Sequence, residues 1–401
     1  MGLQRQTASI ILKQGREKSI RNRHPWIFSG AIDRVEGAPA SGETVVIRTQ
    51  DGGVSGRGAF SPRSQITVRV WNFQPDEDVS AAFLRSRLES AIAYRHSGPA
   101  EGNGRSGRLV YSESDGLPGL IVDQYEDYLV CQFLSAGTEY WKKTICDILR
   151  DLIPAKGIYE RSDVAVRKKE GLPQTSGPLT GQVPPDLIEI QENSCRFLVD
   201  VKHGHKTGFY FDQRANRRSA AAYLDNAEVL DCFAYTGGFA VSALKAGAAA
   251  VTVVDSSATA LALARRNIAL NHLDESAVFA EEGDVFSVLR RYREAGRSFD
   301  AVILDPPKFA LSARDLKKAC RAYKDINMTA LKLLRPGGIL ITFSCSHHMG
   351  SDLFQKTIAY AALDAGRDAQ IVQRLHQAPD HPVGLNFPEG EYLKGLICRV
   401  G

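Results

Sequence analysis

Three short apolar runs in the second half of the chain each stop on an acid. They are Val229-Leu-Asp231, Val251-Thr-Val-Val-Asp255 and Ala301-Val-Ile-Leu-Asp305. Runs of this kind read as buried parallel strands that carry a carboxylate to their C-terminal ends. From about residue 213 the pattern alternates such runs with amphipathic stretches. It predicts strands at 228–232, 250–254, 277–280, 300–304, 338–343 and 394–400. It predicts helices near 213–223, 237–246, 257–271, 313–334 and 351–366. Strand and helix in alternation indicate an α/β doubly wound sheet, whose ligands sit at the strand C-termini.

The first part of the chain is patterned differently. In Gln65–Trp71, Ile66, Val68 and Val70 alternate with Thr67 and Arg69, predicting a strand with one face in the core. Ile10–Leu12 and Thr44–Arg48 are also strand-like, with turns at 37–39 and 51–53. A small β-rich module over 1–75 is expected. Ser80 should cap a helix through about His96, with Phe83, Leu84, Leu88, Ala91 and Ile92 on one face. The glycine-rich stretch Gly98–Gly107 reads as a loop. Strands near 108–111, 119–123, 128–134 and 157–161, with a helix near 139–152, suggest a central α+β domain over 76–190. Gly171–Pro185 reads as a linker or surface loop. Arg196–Val201 and Phe209–Phe211 read as a hairpin leading into a last domain, 191–401.

Composition narrows the class. No apolar run approaches the roughly 20 residues that span a bilayer. Met1–Thr7 is polar and lacks a signal-peptide apolar stretch. The seven cysteines are scattered without a Cys-x-x-Cys pair, which argues for a reducing cytoplasm and against a disulfide framework or a zinc site. Residues 1–75 hold 11 Lys and Arg against 5 Asp and Glu, while the remainder is close to neutral. A basic module on a neutral body suggests an acidic polymer as partner, although a solvated basic face would look the same.

The chemistry concentrates at the strand ends. Asp231 is followed by Thr236-Gly-Gly238, a turn that can bring backbone N–H groups close to a ligand. Asp255, 24 residues after Asp231, is placed to accept two ribose hydroxyls. Asp284 follows the third strand and could meet an adenine amino group. A lone strand-end Asp is usually a helix cap, but three in register point to a nucleoside pocket. The Walker lysine motif and the Gly-x-Gly-x-x-Gly fingerprint are both missing, which disfavours ATP or GTP hydrolysis and a dinucleotide oxidoreductase. S-adenosylmethionine fits better. Asp305-Pro-Pro-Lys308 resembles motif IV of class I methyltransferases acting on nucleobases. Cys345, in Ser344-Cys-Ser-His-His348, ends another buried strand, Ile339–Phe343, on the same edge. A thiol there has a task if C5 of a pyrimidine is methylated, because its addition to C6 makes C5 nucleophilic. Asp305 could protonate the base at N3. His347 or His348 could move protons, though packing is the commoner role of such histidines.

Taken together, Gly15-Arg-Glu-Lys18, His24-Pro-Trp-Ile-Phe28, Lys206-Thr-Gly-Phe-Tyr-Phe-Asp-Gln-Arg214, Asp231–Gly238, Asp305–Phe309 and Ser344–His348 resemble the bacterial large-subunit (23S) ribosomal RNA cytosine-C5 methyltransferases. The resemblance spans nearly the whole chain. It implies an N-terminal β-barrel PUA domain that binds RNA, a central α+β domain and a C-terminal Rossmann-like class I methyltransferase domain. It implies S-adenosylmethionine as cofactor, held by Asp231, Phe233, Tyr235, Gly237, Gly238, Asp255, Asp284 and Asp305, with the 206–214 segment folding over it and Gln213 as a contact. Cys345 and Asp305 would be catalytic. Arg16, Lys18, Arg21 and Arg23 are candidates for phosphate contacts, while His24–Phe28 should be mostly core. Another lineage of RNA cytosine-C5 methyltransferases has a cysteine after the motif IV proline that aids product release. Here Lys308 follows Pro307, leaving either another releasing base or a chemistry other than C5 methylation. Methylation of a base nitrogen and a non-catalytic RNA-binding assembly factor are the competing readings. The sequence leaves the oligomeric state open, a homodimer among the options.

Overall fold

A computed structural model describes residues 8–97, 104–310 and 312–401. Met1–Thr7 and most of the Gly98–Gly107 stretch, both read above from sequence, therefore lie outside the described residues.

The C-terminal sheet has seven strands. In chain order they are Glu228–Cys232, Ala250–Asp255, Val278–Glu282, Phe299–Leu304, Leu334–Ser344, Ala369–His376 and Lys394–Val400. Across the sheet they run third, second, first, fourth, fifth, seventh, sixth. The first five are parallel to one another, and the last pairs antiparallel with both its neighbours. The order reverses between the first and fourth strands, which makes a crevice at their C-terminal ends. Separate apolar cores lie on the two faces, which is why the central strands are apolar on both sides. Helices Gly238–Lys245 and Ala258–Leu270 cover one face; Leu316–Leu333 and Ser351–Ala365 cover the other.

Two elements of this sheet escaped the sequence pattern. Helix Val285–Glu294 buries Val285, Val288, Leu289 and Tyr292. Strand Ala369–His376 is an edge whose side chains are mostly exposed, so it has little apolar alternation to read.

Before this sheet, Ile188–Glu192 and Cys195–Val199 form a hairpin. Its two-residue turn places Asn193 and Ser194 at φ 47° and 64°, as a tight hairpin turn needs. The expected partner strand at Phe209–Phe211 is not one. That segment is irregular and enters a short 3-10 turn, because its backbone is held by side chains rather than by a ladder.

The central sheet orders Thr175–Gly181, Gly157–Ser162, Tyr128–Phe133, Leu120–Tyr125 and Gly107–Tyr111 side by side. Much of Gly171–Pro185 is therefore an edge strand rather than a linker, antiparallel to Gly157–Ser162. Helix Ala81–Ser97 buries the five residues expected of it, and the Ser80 hydroxyl accepts from Phe83 N at 3.2 Å.

Among the described residues the N-terminal sheet has six strands, with Ser9–Leu12 parallel to Thr44–Arg48 and the other pairs antiparallel. Ile10, Leu12, Ile27, Val45, Ile47, Val68 and Val70 form its core. The strand Ile66–Asn72 does not alternate as its sequence suggests. Thr67 and Arg69 are buried too, because that face docks on the central sheet. Arg69 Nη1 donates to Glu170 at 2.8 Å, and its Nε lies 3.6 Å from Glu113. Glu170 also accepts from Ser61 Oγ at 2.9 Å and from Ala136 N at 3.3 Å. His24–Phe28 is likewise not mainly core. Ile27 is buried, but Trp26 is half-buried and stacks edge-on to Phe387 at 4.9 Å, and Phe28 is exposed. Among the described residues no helix is long and apolar enough to cross a membrane.

Candidate active site

Each candidate acid of the C-terminal sheet follows from where its strand stops. Asp231 lies in the first strand, 1 % exposed, and neither carboxylate oxygen has a hydrogen-bond partner. Burial, then the charges of Asp305 and Asp255, push the pKa of its carboxyl well above the usual carboxylate range. A buried acceptor left without a donor is costly unless something arrives to bind it.

The loop after Asp231 is tightly wound. Phe233, Tyr235 and Gly237 have φ of 61°, 48° and 78°. Alternating left-handed residues turn successive N–H groups toward one side, a shape that suits negative or lone-pair-rich groups. At Gly237 a Cβ would lie 3.0 Å from the Ala264 Cβ, so the turn also lets helix Ala258–Leu270 pack close. Asp255 ends the second strand, half-buried. It accepts from Tyr235 N and Ser257 N, each at 2.9 Å, leaving lone pairs on both oxygens. Asp284 is exposed and caps helix Val285–Glu294, its Oδ1 accepting from Ser287 N at 3.0 Å.

Asp305 follows the fourth strand. Burial and the nearby Asp212 charge push its carboxyl up to about 7, against a hydrogen bond from the Gln213 side chain. Cys345 follows the fifth strand, next to the fourth in the sheet. Its Sγ lies 3.8 Å from the Pro306 carbonyl oxygen. Burial, then the Asp305 charge, push the thiol up to about 11. The sulfur and the carboxyl thus share one end of the sheet. His347 is pulled down to about 4 by burial and by Lys308, so it is neutral at physiological pH, with its ring 5.9 Å from that of Tyr392. Cys131, Cys146, Cys195, Cys232 and Cys398 are buried in the cores.

The irregular segment 206–213 crosses this end of the sheet and is pinned from two sides. Thr207 Oγ1 donates to Asp123 at 2.6 Å, and Phe209 N donates to Tyr125 OH at 3.0 Å. Arg217 is held by the hairpin's Glu192 at 2.6 and 2.8 Å and donates to Tyr210 O at 3.0 Å. The result is a buried cluster that residue patterning missed. Lys206 Nζ donates to Asp212 Oδ2 at 2.7 Å, and the Tyr392 hydroxyl donates to the same oxygen. Burial opposes the Asp212 charge, yet Lys206 and His381 hold its carboxyl well below the usual range. The Lys206–Arg214 motif was the one signal for it, and it carries no periodicity. Gln213, buried, accepts from Asn216 Nδ2 at 2.6 Å and reaches Asp305.

The segment 377–393 ties the pocket to the rest of the molecule. Asp380 accepts from Arg108 N at 3.1 Å, Gly390 O accepts from Tyr111 OH at 3.0 Å, and Glu389 lies 3.1 Å from His24 Nε2. Arg16, Lys18, Arg21 and Arg23 are all exposed, on and beside the short helix Lys18–Arg21 of the N-terminal sheet. The Arg23 carbonyl accepts from Asn386 in this same segment.

Residues 162–397 match the family model described as S-adenosylmethionine-dependent methyltransferase. The chain belongs to that family. The methyltransferase also matches a PUA-like domain over residues 10–73. It is 52 % identical over 391 residues, 98 % of its own length and 99 % of the relative's, to "Ribosomal RNA large subunit methyltransferase I" of Escherichia coli strain K12. Two solved structures share its fold over 98 % of this chain and 99 % of each of theirs. One, a proposed SAM-dependent methyltransferase from Streptococcus mutans, superposes with a TM-score of 0.83 at 21 % identity. The other, a proposed methyltransferase complexed with SAH, has a TM-score of 0.84 at 20 % identity. The cofactor of the methyltransferase is S-adenosylmethionine, which supplies an electrophilic methyl group on a sulfonium sulfur. The unpartnered Asp231 carboxylate, the left-handed 233–237 turn and the free lone pairs of Asp255 suit an amino-acid and ribose-bearing ligand at this edge.

Proposed function

We propose that the protein methylates C5 of a cytosine in large-subunit (23S) ribosomal RNA through a covalent adduct with Cys345. The observation that carries this reading is the approach of the Cys345 sulfur to motif IV, 3.8 Å from the Pro306 carbonyl and within the field of Asp305. The 52 % identity to a protein named as a ribosomal RNA large subunit methyltransferase supports the substrate. The exposed Arg16, Lys18, Arg21 and Arg23 support an RNA backbone as the docked surface. Seven free cysteines fit a reducing cytoplasm.

The thiol proton of Cys345 passes to Asp305, and the sulfur bonds to C6 of the cytosine as Asp305 delivers that proton to N3. C5, now electron-rich, would take the methyl group that S-adenosylmethionine supplies when bound, its sulfur leaving as a neutral thioether. Loss of the C5 proton to a base then re-forms the ring double bond, expels the Cys345 thiolate and returns the N3 proton. A carboxyl poised near 7 exchanges a proton readily in both directions, which this sequence needs. Asp231, Phe233, Tyr235, Gly237, Gly238, Asp255 and Asp284 line the turn and strand ends where the cofactor is held, and Gln213 orients Asp305.

The test is Cys345→Ala, assayed on ribosomal RNA with mass-spectrometric mapping of the modified nucleotide. Turnover is expected to fall by at least ~1,000-fold while cofactor affinity in calorimetry stays within about threefold. Retained methylation would assign the product to a base nitrogen, which needs no thiol. Failure to bind the cofactor at all in the wild-type protein would make the chain a binding factor.

A further inference from the structure

Tyr323 carries a polar group where packing alone asks for none. It lies on helix Leu316–Leu333, fully buried, with its ring 4.7 Å from that of Phe309 and 5.7 Å from that of Phe354. A phenylalanine would fill the same space, and a buried hydroxyl adds little net stability even when it is bonded. The Tyr323 hydroxyl is bonded to the residues on either side of Cys345. Ser344 Oγ donates to it at 3.0 Å, which leaves its own proton for Ser346 Oγ at 3.2 Å. Both serines are fully buried.

The same bonds join the cysteine turn to motif IV. Ser346 Oγ accepts from Ala310 N at 3.4 Å, and Phe309, one residue earlier, is the ring packed on Tyr323. The Ser346 carbonyl is held separately. Lys394, opposite Ser344 in the neighbouring strand, donates to it at 3.0 Å and to the Tyr392 carbonyl at 2.8 Å. Tyr323 belongs to the core on one face of the sheet, whereas Cys345 packs against the core on the other. The phenol therefore grips the turn from the far side and leaves the sulfur to face the Pro306 carbonyl at 3.8 Å.

We propose that Tyr323 is a positioning residue: its hydroxyl, bonded to the serines that flank Cys345, fixes the sulfur against motif IV. The proposal rests on the covalent-cysteine reading above. The sulfur must meet C6 while Asp305 serves N3, and a misplacement of about 1 Å is enough to cost on the order of 100-fold in rate.

The test uses the full chain with S-adenosylmethionine and ribosomal RNA transcribed with 5-fluorocytidine. Fluorine at C5 cannot leave as a proton does, so the chain stays bonded to the RNA once the sulfur has added to C6 and C5 has been methylated. Adduct is followed on denaturing gels. At saturating RNA, Tyr323→Phe is expected to slow adduct formation by about 30-fold, with RNA and cofactor affinity within about threefold of wild type and melting within a few degrees. Ser344→Ala should slow it less, and Tyr323→Phe with Ser344→Ala should be no slower than Tyr323→Phe alone, since both act through one clip. A wild-type rate in Tyr323→Phe would overturn the proposal. So would a loss matched by equal losses in cofactor affinity and melting temperature, the mark of general damage, or two variants whose effects simply multiply. If Tyr323→Phe does not fold, Ser344→Ala decides, and a wild-type rate there overturns the clip. A wild-type chain that methylates ordinary RNA yet forms no adduct would instead overturn the covalent reading, and the clip with it.

Discussion

Asp305 keeps its proton to about pH 7 in the folded protein, whereas an unperturbed carboxyl releases it near 3.8. Between these values the folded state binds the extra proton, so stability falls as pH rises through the window and the deficit is complete above it. Asp305→Asn, which mimics the protonated form, should therefore melt a few degrees above wild type at pH 8. The advantage should vanish toward pH 4, while turnover is lost at every pH; melting curves of the cofactor-free protein check this. Asp255 is different, because its oxygens already accept two backbone N–H groups. Asp255→Ala should weaken cofactor binding by about tenfold or more in calorimetry, the value of one or two hydrogen bonds to a charged acceptor. These strand-end acids and Cys345 were legible in the sequence because each follows directly from where a buried apolar run stops. Lys206, Asp212 and Tyr392 were not. Their cluster joins positions up to 186 residues apart through a segment with no periodicity, so only the folded chain assembles it.

Among the elements, those buried on both faces left the clearest trace. The strand around Leu230 and the one around Ile303 have fully buried apolar side chains, and their limits were readable to within a residue or two. Edges were not readable. Ala369–His376 exposes most of its side chains and Thr175–Gly181 fully buries none, so hydrogen bonding to one neighbour, rather than burial, makes them strands. Helix Val285–Glu294 was missed beside an acid read as a ligand contact, although that acid is also its cap. The two roles separate experimentally. Asp284→Ala should cost about 1 kcal/mol of stability through the lost cap. Any loss of cofactor affinity beyond what Asp284→Ser restores would then belong to the ligand, and calorimetry beside denaturant melts reads both.

Across the whole molecule the sheets are joined by buried charges rather than by loose linkers. Glu170 binds Arg69, Ser61 and the Ala136 N–H together at the seam of the N-terminal and central sheets. Removing one partner of such a pair leaves the other charged and dry, so Glu170→Ala should destabilise by about 3–5 kcal/mol. Its early sign should be faster proteolysis near residue 75, read by mass spectrometry. The Arg108–Asp123 pair, with two bonds of 2.8 Å, lies across neighbouring strands of the central sheet, and Asp123 ties that sheet to the pocket segment by accepting from Thr207 Oγ1 at 2.6 Å.

The segment 377–393 completes this bracing, since it touches His24, Tyr111 and Asp212 in one pass. Its consequence is metrical. If the cations around Lys18 grip an RNA backbone, the span from that grip to the sulfur of Cys345 is set when the chain folds, and the enzyme works as a ruler. A nucleotide would then be chosen by its reach from a gripped stem as much as by its base.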